Sequence, residues 1–258
     1  MKVLRLGHAM YRLSSKHEKN YLIDPFFEMN PGCPQEYLTP EFLKNIHGVF
    51  LTHGHFDHTS GLAQLKEANP EVLVVAQYEL ALILMQKGFS NILPINLGGT
   101  VELEDVKVSM VPAVHTSSIG ETEGTPIYAG TAAGYIFDFE NDHTLYHSGD
   151  TTMTMDMKLI QDFYQPTISI LAASGHFTMG PKEAAYVVKN LLDVQYVIPS
   201  HTFPSKETTP RPEVLEGLLG AFPVVANMIG KDEDLRELLK DYDKTEVVVL
   251  GYGEEREF

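Results

Sequence analysis

Cysteine is nearly absent from this chain: Cys33 is the only one in 258 residues. No disulfide can form within the chain, so stability must come from a packed core, and a reducing compartment, the cytoplasm, is the expected setting. Long apolar runs are missing as well. No stretch approaches the ~20 residues that a membrane-spanning helix needs, and Met1-Lys2-Val3-Leu4-Arg5-Leu6-Gly7-His8 lacks the apolar segment of a secretory leader. No membrane partner is expected. Positive charge is scarce: 19 Lys and Arg stand against 35 Asp and Glu, a formal net charge of -16, and the few basic residues form no dense cluster. Such a field repels phosphate backbones and anionic lipid, so nucleic acid is not an expected partner either. Repeats, low-complexity tracts and linkers are also missing. One domain spanning residues 1–258, long enough to bury a sizeable core, is the expectation.

Histidine, by contrast, is concentrated. Thr52-His53-Gly54-His55-Phe56-Asp57-His58 follows the apolar run Val49-Phe50-Leu51. A buried strand cannot hold that density of polar side chains, so the strand is expected to end there, with the histidines in the loop beyond it. Neutral imidazole is a strong ligand for zinc and its neighbours. In a tight loop His53 and His55 can converge on one ion while Asp57 and His58 point at a second.

The rest of the chain alternates strands and helices, the pattern of layered α/β structure. Residues 2–6 and 20–24 read as a first pair of strands around a polar turn at 14–18, the second ended by Asp24-Pro25. Helices are predicted at 41–45, 60–68, 79–86, 181–192, 213–220 and 232–239, with Pro181 at a first helical position. Further strands are predicted at 72–75, 106–110, 134–139, 144–147, 167–172, 196–198 and 246–250, with Pro199 ending the sixth. Residues 117–131, rich in glycine, proline and polar side chains, read as a long loop bordering a site. Met153, Met155 and Met157 read as irregular packing or a mobile cover. His53, His115, Asp150 and His201 each follow the C-terminal end of a predicted strand, and loops at one rim of a sheet scaffold can converge on a site.

The pattern His-x-His-x-Asp-His resembles the signature of the metallo-β-lactamase superfamily. Leu6-Gly7-His8-Ala9, Ile23-Asp24-Pro25-Phe26, Asn96-Leu97-Gly98-Gly99-Thr100, His147-Ser148-Gly149-Asp150-Thr151 and Phe177-Thr178-Met179-Gly180-Pro181 narrow the resemblance. They are similar to its uncharacterised metal-dependent hydrolase branch, related to L-ascorbate-6-phosphate lactonase. The resemblance implies a four-layer αββα sandwich. It also implies two divalent ions per chain, zinc or manganese with iron as a further candidate: His53, His55 and His115 on the first, Asp57, His58 and His201 on the second, and Asp150 bridging them. Such a pair lowers the pKa of a bridging water and supplies hydroxide near neutral pH; Asp57 has a secondary role as proton acceptor. Asp24 is expected to orient the histidine loop. His8 and His176, both just beyond strands, are expected as hydrogen-bond donors to a substrate oxygen or developing oxyanion. His17, His47, His143 and His147 are assigned no role.

The implied activity is metal-dependent hydrolysis of a small polar molecule, a lactone, amide or phosphate ester. Competing readings are a phosphodiesterase or nuclease of the same superfamily, which the acidic charge disfavours, and a non-catalytic metal-binding module, which the full ligand set disfavours. Flavodiiron proteins share the scaffold but carry an acidic residue where His55 stands. The chain departs from the branch at Leu171-Ala172-Ala173-Ser174-Gly175, at His201-Thr202-Phe203-Pro204 and in the longer tail beyond it. These departures bear on substrate rather than on metal. A small-molecule substrate is the expected partner, and homo-oligomerisation is left open.

Overall fold

The structure, a computed structural model, describes residues 1–258, the side chains of Glu121 and Thr122 apart. The first half of the chain runs β1 (Lys2–Arg5), β2 (Tyr11–Ser14), β3 (Asn20–Ile23), α1 (Pro40–Lys44), β4 (Gly48–Phe50), α2 (Phe56–Thr59), α3 (Leu62–Ala68), β5 (Leu73–Gln77), α4 (Tyr78–Gln86) and β6 (Ile92–Ile95). The second runs β7 (Thr100–Glu102), β8 (Val106–Pro112), β9 (Ser118–Thr122), β10 (Thr125–Tyr128), β11 (Ala133–Phe139), β12 (Thr144–His147), α5 (Asp156–Tyr164), β13 (Ile168–Ala172), α6 (Pro181–Asn190), β14 (Tyr196–Ser200), α7 (Pro212–Ala221), α8 (Lys231–Leu239), β15 (Glu246–Val247) and β16 (Glu255–Glu257).

Two seven-stranded sheets result, ordered β16-β1-β2-β3-β4-β5-β6 and β15-β14-β13-β12-β11-β8-β7. Each has an antiparallel half followed by a parallel half: β3 to β6 in the first sheet, β12 to β15 in the second. Side chains alternate across each sheet, and this period sorts the core into layers. Ile23, Phe50 and Val75 from one sheet meet Val108, Met110, Phe137 and Ile170 from the other in the central core. The alternate residues Leu22, Val49 and Val74 face outward, onto Leu43, Leu65 and Leu80 of α1, α3 and α4. On the far side Ile136, Leu171 and Val197 pack against Ile160, Val187, Val188 and Leu235 of α5, α6 and α8. The four-layer αββα sandwich expected from the sequence is the fold observed. Among the described residues no helix is long and apolar enough to cross a membrane.

Several local expectations are corrected. β2 was not anticipated: the chain reverses at Gly7-His8-Ala9, and Tyr11–Ser14 pairs with both β1 and β3. β6, β7 and β16, and α5 over residues 156–164, were also not anticipated. Met157 lies on the buried face of α5, whereas Met153 and Met155 are exposed. The histidine loop is shorter than expected, because Asp57 and His58 sit on the helical turn α2. Residues 117–131 are not an open loop but the hairpin β9–β10, turning at Glu123-Gly124. Pro199 does not end its strand. The Val197 carbonyl accepts from Val248 N–H on the β15 side, and Pro199 faces that same side two residues on, past the end of β15, where no ladder partner needs an N–H.

The strand ends that carry site residues open onto one rim. The two sheets are tied there by a bridge between His8 and Thr202, with His201 N–H donating to the His8 carbonyl at 3.2 Å. Beneath it Arg5, fully buried, donates to Thr202 Oγ1 (2.8 Å), the Leu250 carbonyl (2.7 Å) and Asp232 (3.0 Å), anchoring the segment that carries His201. A buried guanidinium with this many acceptors is costly to disturb, since losing one leaves charge unpaired.

Candidate metal centre

Five chain segments deliver the site. The loop after β4 carries His53 and His55, α2 carries Asp57 and His58, and the loops after β8, β12 and β14 carry His115, Asp150 and His201. Their ligand atoms fall into groups within 4.8 Å of one another: His53, His55 and His115; Asp57, His58 and His201, joined by His8; and Asp150 with His53 and His58. Asp150 Oδ2 stands in the middle, 2.8 Å from His201 Nε2, 3.4 Å from His58 Nε2, 3.7 Å from His115 Nε2 and 4.0 Å from His53 Nε2. The grouping parallels the division of ligands implied by the resemblance.

Three of the rings, His53, His58 and His201, are aimed by a partner on the far nitrogen, which settles tautomer and orientation together. Asp24 accepts from Thr52 N–H (2.8 Å), Thr52 Oγ1–H (2.7 Å) and His58 Nδ1–H (2.8 Å). With its only proton given to Asp24, Thr52 Oγ1 accepts from His53 Nδ1–H at 3.0 Å, leaving the His53 Nε2 lone pair toward the site. Ser174 Oγ lies 2.9 Å from His201 Nδ1 and performs the same service there. Asp24 therefore supports the loop as the sequence suggested. Thr52 and Ser174 were not singled out, although Ser174 follows β13 just as the ligands follow their strands, and that shared position was the available signal. Gly54 is required for space: a Cβ there would stand 2.6 Å from Ala129 Cβ and 2.9 Å from the Ser118 carbonyl, where the β9–β10 hairpin packs over the loop. Backbone strain also gathers here. His8, Asp24 and His201 have φ of 50°, 50° and 61°, each costing on the order of 1–3 kcal/mol.

The two remaining expectations need revision. His8 is fully buried, its ring stacked on Phe203 at 4.3 Å, and its Nε2 is 3.0 Å from Asp57 Oδ2. It therefore orients Asp57 and does not reach a substrate oxygen. His176 is exposed in the turn after β13, packed edge-on against Phe177, and is not among the residues lining the cleft above the cluster; its neighbour Phe177 is.

Electrostatics within the protein call for cations. Burial by itself would raise the carboxyls of Asp57 and Asp150, yet the surrounding histidines hold both well below the usual range. Burial likewise works against a charged His58 or His201, but the carboxylates outweigh it. Asp150, Asp24 and Asp57 push His58 well above its ordinary value, and Asp150 and Asp57 push His201 up to about 9. His53 and His8 go the other way, pushed down mainly by burial, His8 to about 4. Protons thus gather on the histidines that face the carboxylates. His58 Nε2 is buried without a hydrogen-bond partner. An all-nitrogen and oxygen donor set with surplus buried negative charge and an unpartnered imidazole nitrogen fits divalent metal.

Comparison with known proteins agrees. The profile of the beta-lactamase superfamily domain matches residues 19–202. A UPF0173 metal-dependent hydrolase of Chloroflexus aurantiacus is 41% identical over 252 residues, covering 96% of this chain and 94% of its own. The chain belongs to the metallo-β-lactamase superfamily and, within it, to the UPF0173 metal-dependent hydrolases. Among solved structures, the fold is shared with Igni18, a metallo hydrolase from Ignicoccus hospitalis, at TM-score 0.77 and 23% identity, covering 100% of this chain and 98% of that one. It is shared too with an isothiocyanate hydrolase from Delia radicum gut bacteria, at TM-score 0.73 and 20% identity, covering 100% and 99%.

Proposed function

We propose that this chain is a dinuclear hydrolase of a small molecule with a lactone, amide or phosphate ester bond, working in the cytoplasm without a nucleic acid or membrane partner. The observation that carries the reading is the pair of ligand groups sharing Asp150 beneath a cleft of about 430 Å³. His53, His55 and His115 would hold one ion, and Asp57, His58 and His201 the other, with Asp150 between. Zinc or manganese, with iron as a further candidate, would there lower the pKa of a water and polarise a carbonyl or phosphoryl oxygen. Both carboxylates line the cleft: Asp150, at 3% exposure, would hold the two groups together, whereas Asp57, at 20%, is the more open and is the carboxylate able to pass a proton to a leaving group. His8 keeps Asp57 in place for both tasks. Asp24, Thr52 and Ser174 keep the imidazoles turned inward.

The test is elemental analysis joined to turnover. Protein stripped with a chelator and reloaded with zinc or manganese should reach two equivalents per chain and recover hydrolysis of at least one member of a panel of lactones, amides and phosphodiesters. Metal content that never passes one equivalent would remove the dinuclear reading, and loaded protein inert toward the whole panel would remove the hydrolase reading.

A further inference from the structure

The walls of the cleft differ in kind from its floor. Phe56 and Phe177 line it, 47% and 52% exposed, an unusual state for large rings beside a buried polar cluster. Phe56 is braced from behind: Phe222 stacks on it at 5.6 Å with an interplanar angle of 21°, and Phe26 meets it edge-on at 6.0 Å. Among the described lining residues there is no lysine or arginine, and Thr116 and Ser118 supply only neutral polar groups. With its histidines committed to metal, the cleft offers an anionic substrate no side-chain cation for its non-reacting charge, and such a substrate would approach against a net charge of -16. An apolar planar group, by contrast, gains area burial and ring-on-ring contact on entering.

Resting on the hydrolase reading above, we propose that the cleft selects an uncharged ester or lactone bearing a planar apolar group, which lies against Phe177 and Phe56 while its carbonyl points down into the ligand cluster around Asp150. In the reaction the acyl carbon–oxygen bond breaks. Water supplies hydroxyl to the acyl carbon and a proton to the leaving atom, and no other reactant is needed. Phosphate esters are thereby excluded as the preferred class.

Three probes separate ring from charge on the metal-loaded protein: dihydrocoumarin, δ-valerolactone and bis(p-nitrophenyl) phosphate. Binding is read independently of turnover by calorimetry with the unreactive lactams dihydroquinolinone and δ-valerolactam. The expected result is a kcat/KM for dihydrocoumarin at least roughly tenfold above the other two, and tighter binding of dihydroquinolinone than of δ-valerolactam. Phe177→Ala should raise KM for dihydrocoumarin roughly tenfold and lower its kcat/KM several-fold more than that for δ-valerolactone, with Phe177→Leu intermediate. Phe177 is exposed, so neither variant endangers the fold. Preference for the phosphodiester, or indifference of ring-bearing ligands to Phe177→Ala, overturns the proposal. Failure to bind either lactam overturns it too. If no probe turns over while dihydroquinolinone still binds in a Phe177-dependent way, the selectivity stands and the hydrolase reading fails.

Discussion

Asp150 Oδ2 has four imidazole nitrogens within 4.0 Å, drawn from three different loops and from α2. No other single oxygen in the cluster touches both ligand groups, so under the dinuclear proposal its charge is what would allow two cations to be held close together. Asp150→Asn keeps the shape, exchanges one acceptor oxygen for an amide donor and removes that charge. Support residues around metal sites already account for 10–100-fold effects, and a shared ligand should exceed them. The expected outcome is weaker metal binding at both positions and activity lower by roughly two orders of magnitude or more, with an unchanged circular dichroism spectrum. Two tightly held equivalents and full turnover in the variant would show that the bridge lies elsewhere.

At the scale of elements, the site depends on how strands hand over to loops. The loop after β12 must turn sharply enough to return Asp150 over the rim, and Gly149 makes that turn at φ 59°. A Cβ there would lie 2.3 Å from the Ala133 carbonyl at the start of β11 and 3.2 Å from Thr52 Cβ on the histidine loop. Gly149→Ala therefore combines left-handed strain with a backbone clash at the junction of three site segments. A fall in Tm of roughly 5 °C or more is expected, together with weakened metal retention, because relief of the clash displaces Asp150. Thermal melts of the loaded and stripped variant check both; a wild-type Tm with full metal content would show that the loop accommodates the methyl group freely.

For the whole molecule, buried charge sets the response to pH. His201, raised from 6.5 to about 9 by Asp150 and Asp57 against the pull of burial, contributes stability while it is protonated. In chelator-treated protein that contribution is complete below about 6.5 and is lost as pH climbs through about 9, so Tm should fall across this window. At the acid end the sign reverses: Asp57 and Asp150, held well below 3.8, contribute stability that disappears as pH drops through their lowered values. A metal held by His201, as proposed, would displace its proton, so loading near neutrality should release protons and tighten with rising pH until about 9. Melts with and without metal, and calorimetry in two buffers of different ionisation heat, measure these effects. Identical Tm profiles for stripped and loaded protein between pH 6.5 and 9 would rule out His201 as a proton-competing ligand.

Local pattern alone determined a good part of this protein. Period-two alternation in Val106–Met110 and helical spacing in Pro181–Leu192 were enough for layered α/β structure, because each element must bury one face. The His-x-His-x-Asp-His motif and the position of His115, Asp150 and His201 beyond strand ends, taken with the family resemblance, were enough to mark the residues that the fold gathers into one cluster. Which side chains meet across two sheets was decided only by the tertiary structure. His8 looked like a substrate contact until the stacking of Phe203 and the approach of Asp57 buried it. Pro199 looked like a strand terminus until the short β15 left its face of the ladder free. Residues 117–131 looked like an open loop until β9 and β10 paired over Gly54. For His8 and Pro199 the deciding contact joins residues far apart in the chain, where neighbouring sequence carries no trace of the partner; the β9–β10 pairing is local, but its seat over Gly54 is not, so only the tertiary structure could select these arrangements.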